Sequence, residues 1–163
     1  MANVFDLVKG DAHVVAESSR LKATTAGHIY DLEMIKDTDN GTIVCVGDLS
    51  DLGVQVFKAK NYVAGETPYL ILTPPLAYNG KKVWSDEKYF YNAKGEVARA
   101  YELHKDDIFT VSANAFTGDV AVGNLVDSGY AVIESAGEGF VGEIIEEVTY
   151  TNGTSYRIIV RKI

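Results

Sequence analysis

The groups with the most chemistry in this 163-residue chain are three histidines (His13, His28 and His104), one cysteine (Cys45) and 23 acidic side chains. Zinc sites that can be read from sequence carry paired Cys or His at short, fixed spacing. Here no two histidines lie two or four residues apart, and there is no second cysteine. A metal site would need ligands converging from distant strands, so none is expected from spacing. Each histidine reads as a surface or hydrogen-bonded structural residue. A serine nucleophile of the hydrolase kind sits in Gly-x-Ser-x-Gly, a pattern the chain lacks. Cys45 lies in the apolar run Thr42-Ile43-Val44-Cys45-Val46. It reads as a small buried hydrophobe, because a reactive thiol needs an electropositive, partly open setting. Carboxylates are numerous, but a catalytic pair is defined by its separation in space. The expectation is a protein that is not an enzyme, with no catalytic residue, metal or cofactor. The rival from that class is a small hydrolase with its site in a barrel mouth, which would have to use His28 or His104.

Two local motifs invite a stronger reading and fail it. Gly137-Glu138-Gly139-Phe140-Val141-Gly142 has the form G-x-G-x-x-G. Dinucleotide binding needs a strand before that motif, a helix after it and an acid about 20 residues on. Here β-branched residues and a hairpin follow, so a glycine-rich turn is expected. Asp37-Thr38-Asp39-Asn40-Gly41 resembles the start of a calcium loop, but an EF-hand needs Gly at its sixth position and Glu at its twelfth. In this chain Gly41 is fifth and Asp48 twelfth. An Asp/Asn turn leading into a strand is expected instead. Asn40-Gly41-Thr42 and Asn152-Gly153-Thr154 have the form of glycosylation acceptors and read as turns.

The elements that would position these groups are mostly strands. At about 150 residues per domain the length predicts one domain, and 47% hydrophobic with 23% charged residues is a globular balance. Residues 54–60, 68–72, 97–103, 108–113 and 130–134 read as strands. In 97–103, Val97, Arg99, Tyr101 and Leu103 share one face, with Ala98, Ala100 and Glu102 on the other. Residues 143–150 and 155–160 flank Thr151-Asn152-Gly153-Thr154, a hairpin with Asn-Gly at its tip. Only residues 85–94 read as a helix, with Ser85 as N-cap, Asp86 and Glu87 in the first turn and Gly95 as C-cap. The fold class is therefore mainly β: one barrel-like or sandwich-like domain with one short helix. Residues 1–22 form an N-terminal arm or first strand and 23–163 the β-rich domain. The window 44–56 repeats weakly at 120–132, with seven of 13 positions identical, and coincidence accounts for it better than duplication.

Charge and aromatic content narrow the partners. A net charge of −8 argues against nucleic acid, whose binding needs clustered Lys and Arg, and against an anionic membrane surface. No apolar run approaches a membrane span. The first seven residues lack the basic and apolar regions of a signal peptide, so synthesis in a cytoplasm is expected. Two segments suggest a protein partner. One is the aromatic stretch Trp84, Tyr89, Phe90 and Tyr91, since aromatic residues are enriched at interfaces; the alternative is that these rings fill the domain's own core. The other is Val4, Phe5 and Leu7, which could add to a neighbour's sheet edge.

Two blocks then carry a likeness. The first is Asp37-Thr38-Asp39-Asn40-Gly41-Thr42-Ile43-Val44-Cys45-Val46-Gly47-Asp48-Leu49, followed by Val56-Phe57-Lys58-Ala59. The second is Ala98-Arg99-Ala100-Tyr101-Glu102-Leu103-His104-Lys105-Asp106-Asp107-Ile108-Phe109-Thr110-Val111, followed by Phe116-Thr117-Gly118-Asp119 and Val122-Gly123. Together they resemble a family of small head proteins from tailed bacteriophages of Gram-positive hosts. The likeness spans residues 28 to about 145, and departs from the family where Asp106 replaces a Gly. It implies a capsid decoration or cement protein on the outer surface of the virion, made in the host cytoplasm and needing no cofactor. Its partner would be the major capsid protein, with a second copy of the chain left open. The blocks look structural and carry no catalytic residue over. A tail or fibre module that binds a host glycan is the rival within the virion.

Overall fold

The computed structural model describes residues 13–74, 89–150 and 153–163. Among these residues the chain is mainly β and builds a closed barrel with a sheet beside it. Strands β2 (Ile29–Glu33), β3 (Ile43–Leu49), β4 (Val56–Asn61), β5 (Tyr69–Ile71) and β6 (Val97–Glu102) close into a barrel in the order β2-β4-β3-β5-β6. A six-stranded sheet lies beside it in the order β1-β7-β11-β10-β8-β9. Its members are β1 (Ala16–Arg20), β7 (Ile108–Ser112), β8 (Leu125–Val126), β9 (Val132–Ile133), β10 (Val141–Tyr150) and β11 (Gly153–Lys162). The barrel closes because β2 pairs on one side with β4, in parallel, and on the other with β6, antiparallel. No helix among the described residues is long and apolar enough to cross a membrane.

Strand composition explains which faces are buried. In β6 the inward residues are Ala98 and Ala100, both fully buried, whereas Val97 and Arg99 face out. The smaller face is the core face because five strands enclose little space, and alanine fits a narrow lumen. β5 is buried on both sides. Tyr69 and Ile71 join Leu32, Met34, Val44 and Ala59 in the barrel interior. Leu70 and Leu72 join Phe109, Phe140, Ile144 and Ile158 in a second core between barrel and sheet. That accounts for its unbroken apolar run, since a strand covered on both faces need not alternate. The β10–β11 hairpin forms as expected, and its last described pair is Tyr150 with Gly153.

Several expectations need correction. The expected helix at 85–94 falls partly outside the described residues, and residues 90–94 are not helical. Asn92 instead makes an isolated bridge to Thr38, and its side chain donates to the Thr38 carbonyl (3.1 Å) and to Asn40 Oδ1 (3.0 Å). The one α-helix among the described residues is α1 (Lys22–Ala26), ended by Gly27 at φ 76°. Residues 130–134 yield only the two-residue β9, because Tyr130 sits in a turn at φ 59°. The repeated windows are not equivalent: 44–56 runs through β3 to the start of β4 in the barrel, while 120–132 covers turns and β8 in the sheet. Residues 16–20 of the N-terminal segment are a first strand, paired with β7 of the same chain. Asp106 holds φ 74°, a left-handed conformation that Asp tolerates better than most residues.

Candidate functional site

The tightest gathering of ligating groups lies where β2 begins and β6 ends. Helix α1 stops at Gly27, whose N–H and that of His28 both reach the Ala23 carbonyl (3.0 and 3.1 Å). This cap sets His28 at the mouth of β2, next to the end of β6, and the Glu102 N–H donates to the His28 carbonyl (3.1 Å). Glu102 and His104 are two residues apart, so an extended chain puts both side chains on one side. His28 Nδ1 donates to Glu102 Oε2 (3.0 Å), and His104 Nε2 lies 3.1 Å from Glu102 Oε1. The two imidazole rings are 6.0 Å apart. One donor atom from each of the three residues lies within 4.8 Å of the others.

A second layer holds the cluster from behind. Asp107 is only 1% exposed. Its Oδ2 accepts from the His104 N–H (2.8 Å) and its Oδ1 from the Lys22 N–H (3.0 Å). The turn is sewn to the sheet, because Asp106 N–H donates to the Val160 carbonyl and Val160 N–H to the Asp107 carbonyl, both at 2.8 Å. His104 Nδ1 is buried, has no hydrogen-bond partner among the described residues, and faces Asp107 Oδ2 at 3.9 Å. On the barrel, Tyr69 pairs in register with Glu102. Burial, and then the Glu102 charge, push the Tyr69 phenol up to about 12.

Histidine-to-histidine spacing gives no sign of this cluster. A Glu-x-His pair on a strand was its legible signal; His28, 74 residues earlier than Glu102, had none. The third histidine lies elsewhere: His13 donates to Asp39 Oδ1 (2.6 Å) and stacks on Tyr91 with ring centroids 5.0 Å apart. The Asp37–Gly41 loop is structural, as expected. Asp37 Oδ1 accepts from the Lys94 N–H (2.8 Å), Asp39 Oδ2 from the Val14 N–H (3.2 Å), and Asn40 exchanges two bonds with the Thr73 backbone. In the glycine-rich motif β10 begins at Val141, and Gly139 sits at φ 81° against Tyr62. Cys45 is buried, and burial pushes its thiol up.

The expected partner residues divide. Val4, Phe5, Leu7 and Trp84 lie outside the described residues. Phe90 and Tyr91 are buried, so they serve the fold rather than an open surface, while Tyr89 is half-buried. An exposed apolar group lies instead where β3 ends and the loop to β4 begins: Leu49, the last residue of β3, and Leu52 and Val54 of the loop are 62, 55 and 96% exposed. That loop is anchored at its base, where Ser50 Oγ donates to Glu33 Oε2 (2.5 Å) and Ser50 N–H to the Val56 carbonyl (2.8 Å). No family model, no curated protein and no solved structure matches the chain.

Proposed function

We propose that this chain is a structural protein of a tailed-phage head, one that decorates the outer surface of the major capsid protein lattice and stabilises it. The observation that carries the reading is the block from Ala98 to Val111, which resembles phage head proteins at every position but Asp106. In this fold the block is the joint of the molecule. It runs from β6 of the barrel, through the Asp107 turn, into β7 of the sheet.

Two further features support the same reading. A net charge of −8 is repelled by packaged DNA and suits the outside of a shell. The exposed apolar residues Leu49, Leu52 and Val54, close together in sequence at the β3–β4 connection, suit a protein surface, since grouped exposed apolar side chains mark interaction sites. The mechanism is mass action. A ligand that binds the assembled lattice, but not its dissociated subunits, shifts the equilibrium toward the lattice. Repetition over many copies turns a modest contact energy into resistance to internal pressure.

The test is the copy number of this chain per purified virion, measured by quantitative mass spectrometry against the major capsid protein. Hundreds of copies in a simple ratio to the capsid subunit are expected. A handful would place the chain in a tail or fibre, and its absence from virions would overturn the structural role.

A further inference from the structure

We propose that His28, Glu102 and His104 form a binding site for a divalent transition metal of the zinc class. The inference rests on geometry and holds whatever the role of the whole chain. Two imidazole nitrogens and one carboxylate are a donor set that borderline metals favour, and that calcium and magnesium do not. Around tetrahedral zinc, with bonds near 2.0–2.1 Å, neighbouring donors stand about 3.3 Å apart. Glu102 already lies 3.0 Å from His28 Nδ1 and 3.1 Å from His104 Nε2. The two contacts are to different oxygens of Glu102 and all three donor atoms lie within 4.8 Å of one another, so the site closes by side-chain rotation about a His28 backbone that the α1 cap and the start of the β2–β6 ladder hold.

The back of the site gives an independent reason. A histidine that ligates a metal through one nitrogen usually directs the other N–H to a carboxylate or carbonyl, which fixes its tautomer and orientation. His104 has that arrangement half assembled. Its Nε2 faces Glu102, and its buried, unpartnered Nδ1 faces Asp107 Oδ2 at 3.9 Å. Asp107 cannot swing away, because two backbone N–H groups hold its oxygens. With the metal on Nε2, the proton resides on Nδ1 and points at that carboxylate. Neutral imidazole is the ligating form, so binding releases protons from any protonated histidine and weakens at acid pH. The outer ligand, His28, is the most exposed of the three. The fourth position therefore opens to solvent and is filled by water.

The experiment is isothermal titration of the metal-free full chain with Zn²⁺, paralleled by Co²⁺ monitored through its visible bands. One equivalent is expected to bind, with the Co²⁺ spectrum of a tetrahedral or five-coordinate site. His28→Ala and Glu102→Gln should each weaken Zn²⁺ binding at least tenfold, and the double variant His28→Ala/His104→Ala should abolish the one-equivalent step. His13→Ala, at a histidine outside the cluster, should leave it unchanged. Circular dichroism and a thermal melt of each variant separate loss of the site from loss of the fold. The half-exposed His28 is the position where substitution should cost the fold least. No saturable binding of either ion, or binding indifferent to His28→Ala and Glu102→Gln in folded variants, would overturn the assignment.

Discussion

Tyr130 and Tyr69 show how much a single side chain can hold. Tyr130 is buried in a turn at φ 59°, and its hydroxyl donates to the Gly41 carbonyl, tying the sheet side of the molecule to the loop that leads into β3 of the barrel. Burial raises its phenol pKa, and Tyr69 is raised to about 12 by burial and the Glu102 charge. An unfolded tyrosine ionises near pH 10. Above that pH the unfolded chain releases these protons first, so their contribution to stability is complete below about pH 10 and declines as pH rises toward 12. In a phenolate absorbance titration of the ten tyrosines, part of the signal should appear only well above pH 10, and Tyr69→Phe should flatten the alkaline fall in denaturant midpoint. Early ionisation of all ten in the folded protein would contradict this. Burial of Cys45 was legible from its apolar neighbours. The depth of Tyr130 was not, because its strand-like surroundings gave no sign of the turn it occupies.

At the scale of elements, local signals succeeded where local physics decides. The β10–β11 hairpin carries its own turn chemistry, and β5 and β6 carry their own apolar pattern. Helix formation was misplaced because both segments are settled by distant partners. Residues 85–94 have capping residues in sequence, yet Asn92 is recruited by Thr38 and Asn40 more than 50 positions away. Helix α1 has Leu21 at its N-cap and no side-chain cap of its own. Its first N–H, from Lys22, is instead satisfied by Asp107, 85 positions later. Asp107→Ala should thus loosen α1 and the His104 turn together. Leaving such donors unpaired costs about 1–3 kcal/mol, readable in urea unfolding, and amide exchange should quicken at both Lys22 and His104. Unchanged stability would mean that water replaces the carboxylate without cost.

For the whole molecule, the balance between a packed interior and an apolar loop is the informative feature. A core between barrel and sheet joins the barrel's own interior, and the β3–β4 connection lies at the surface. Because Leu49, Leu52 and Val54 are exposed, replacing all three with serine should leave the melting temperature within a few degrees of the parent. The same change should weaken co-sedimentation with capsids at least tenfold if the loop meets the lattice. Full binding by the triple variant would move the contact to the segments outside the described residues, where deletion of residues 2–9 is the next test.

The sequence by itself determined that the chain is β-rich, where most strands run, that Cys45 is buried, and that the aspartate loop and glycine motif serve as turns. These follow from periodicity and turn chemistry, which act within a few residues. Only the tertiary structure decided that five strands close into a barrel, that the alanine face of β6 points inward, and that α1 is capped from afar. It alone brought His28 beside Glu102 and His104. An alternating pattern specifies a buried face but not the strand that will lie beside it. Partners are chosen by the shared core and by long-range hydrogen bonds, and that choice is where the candidate site arises.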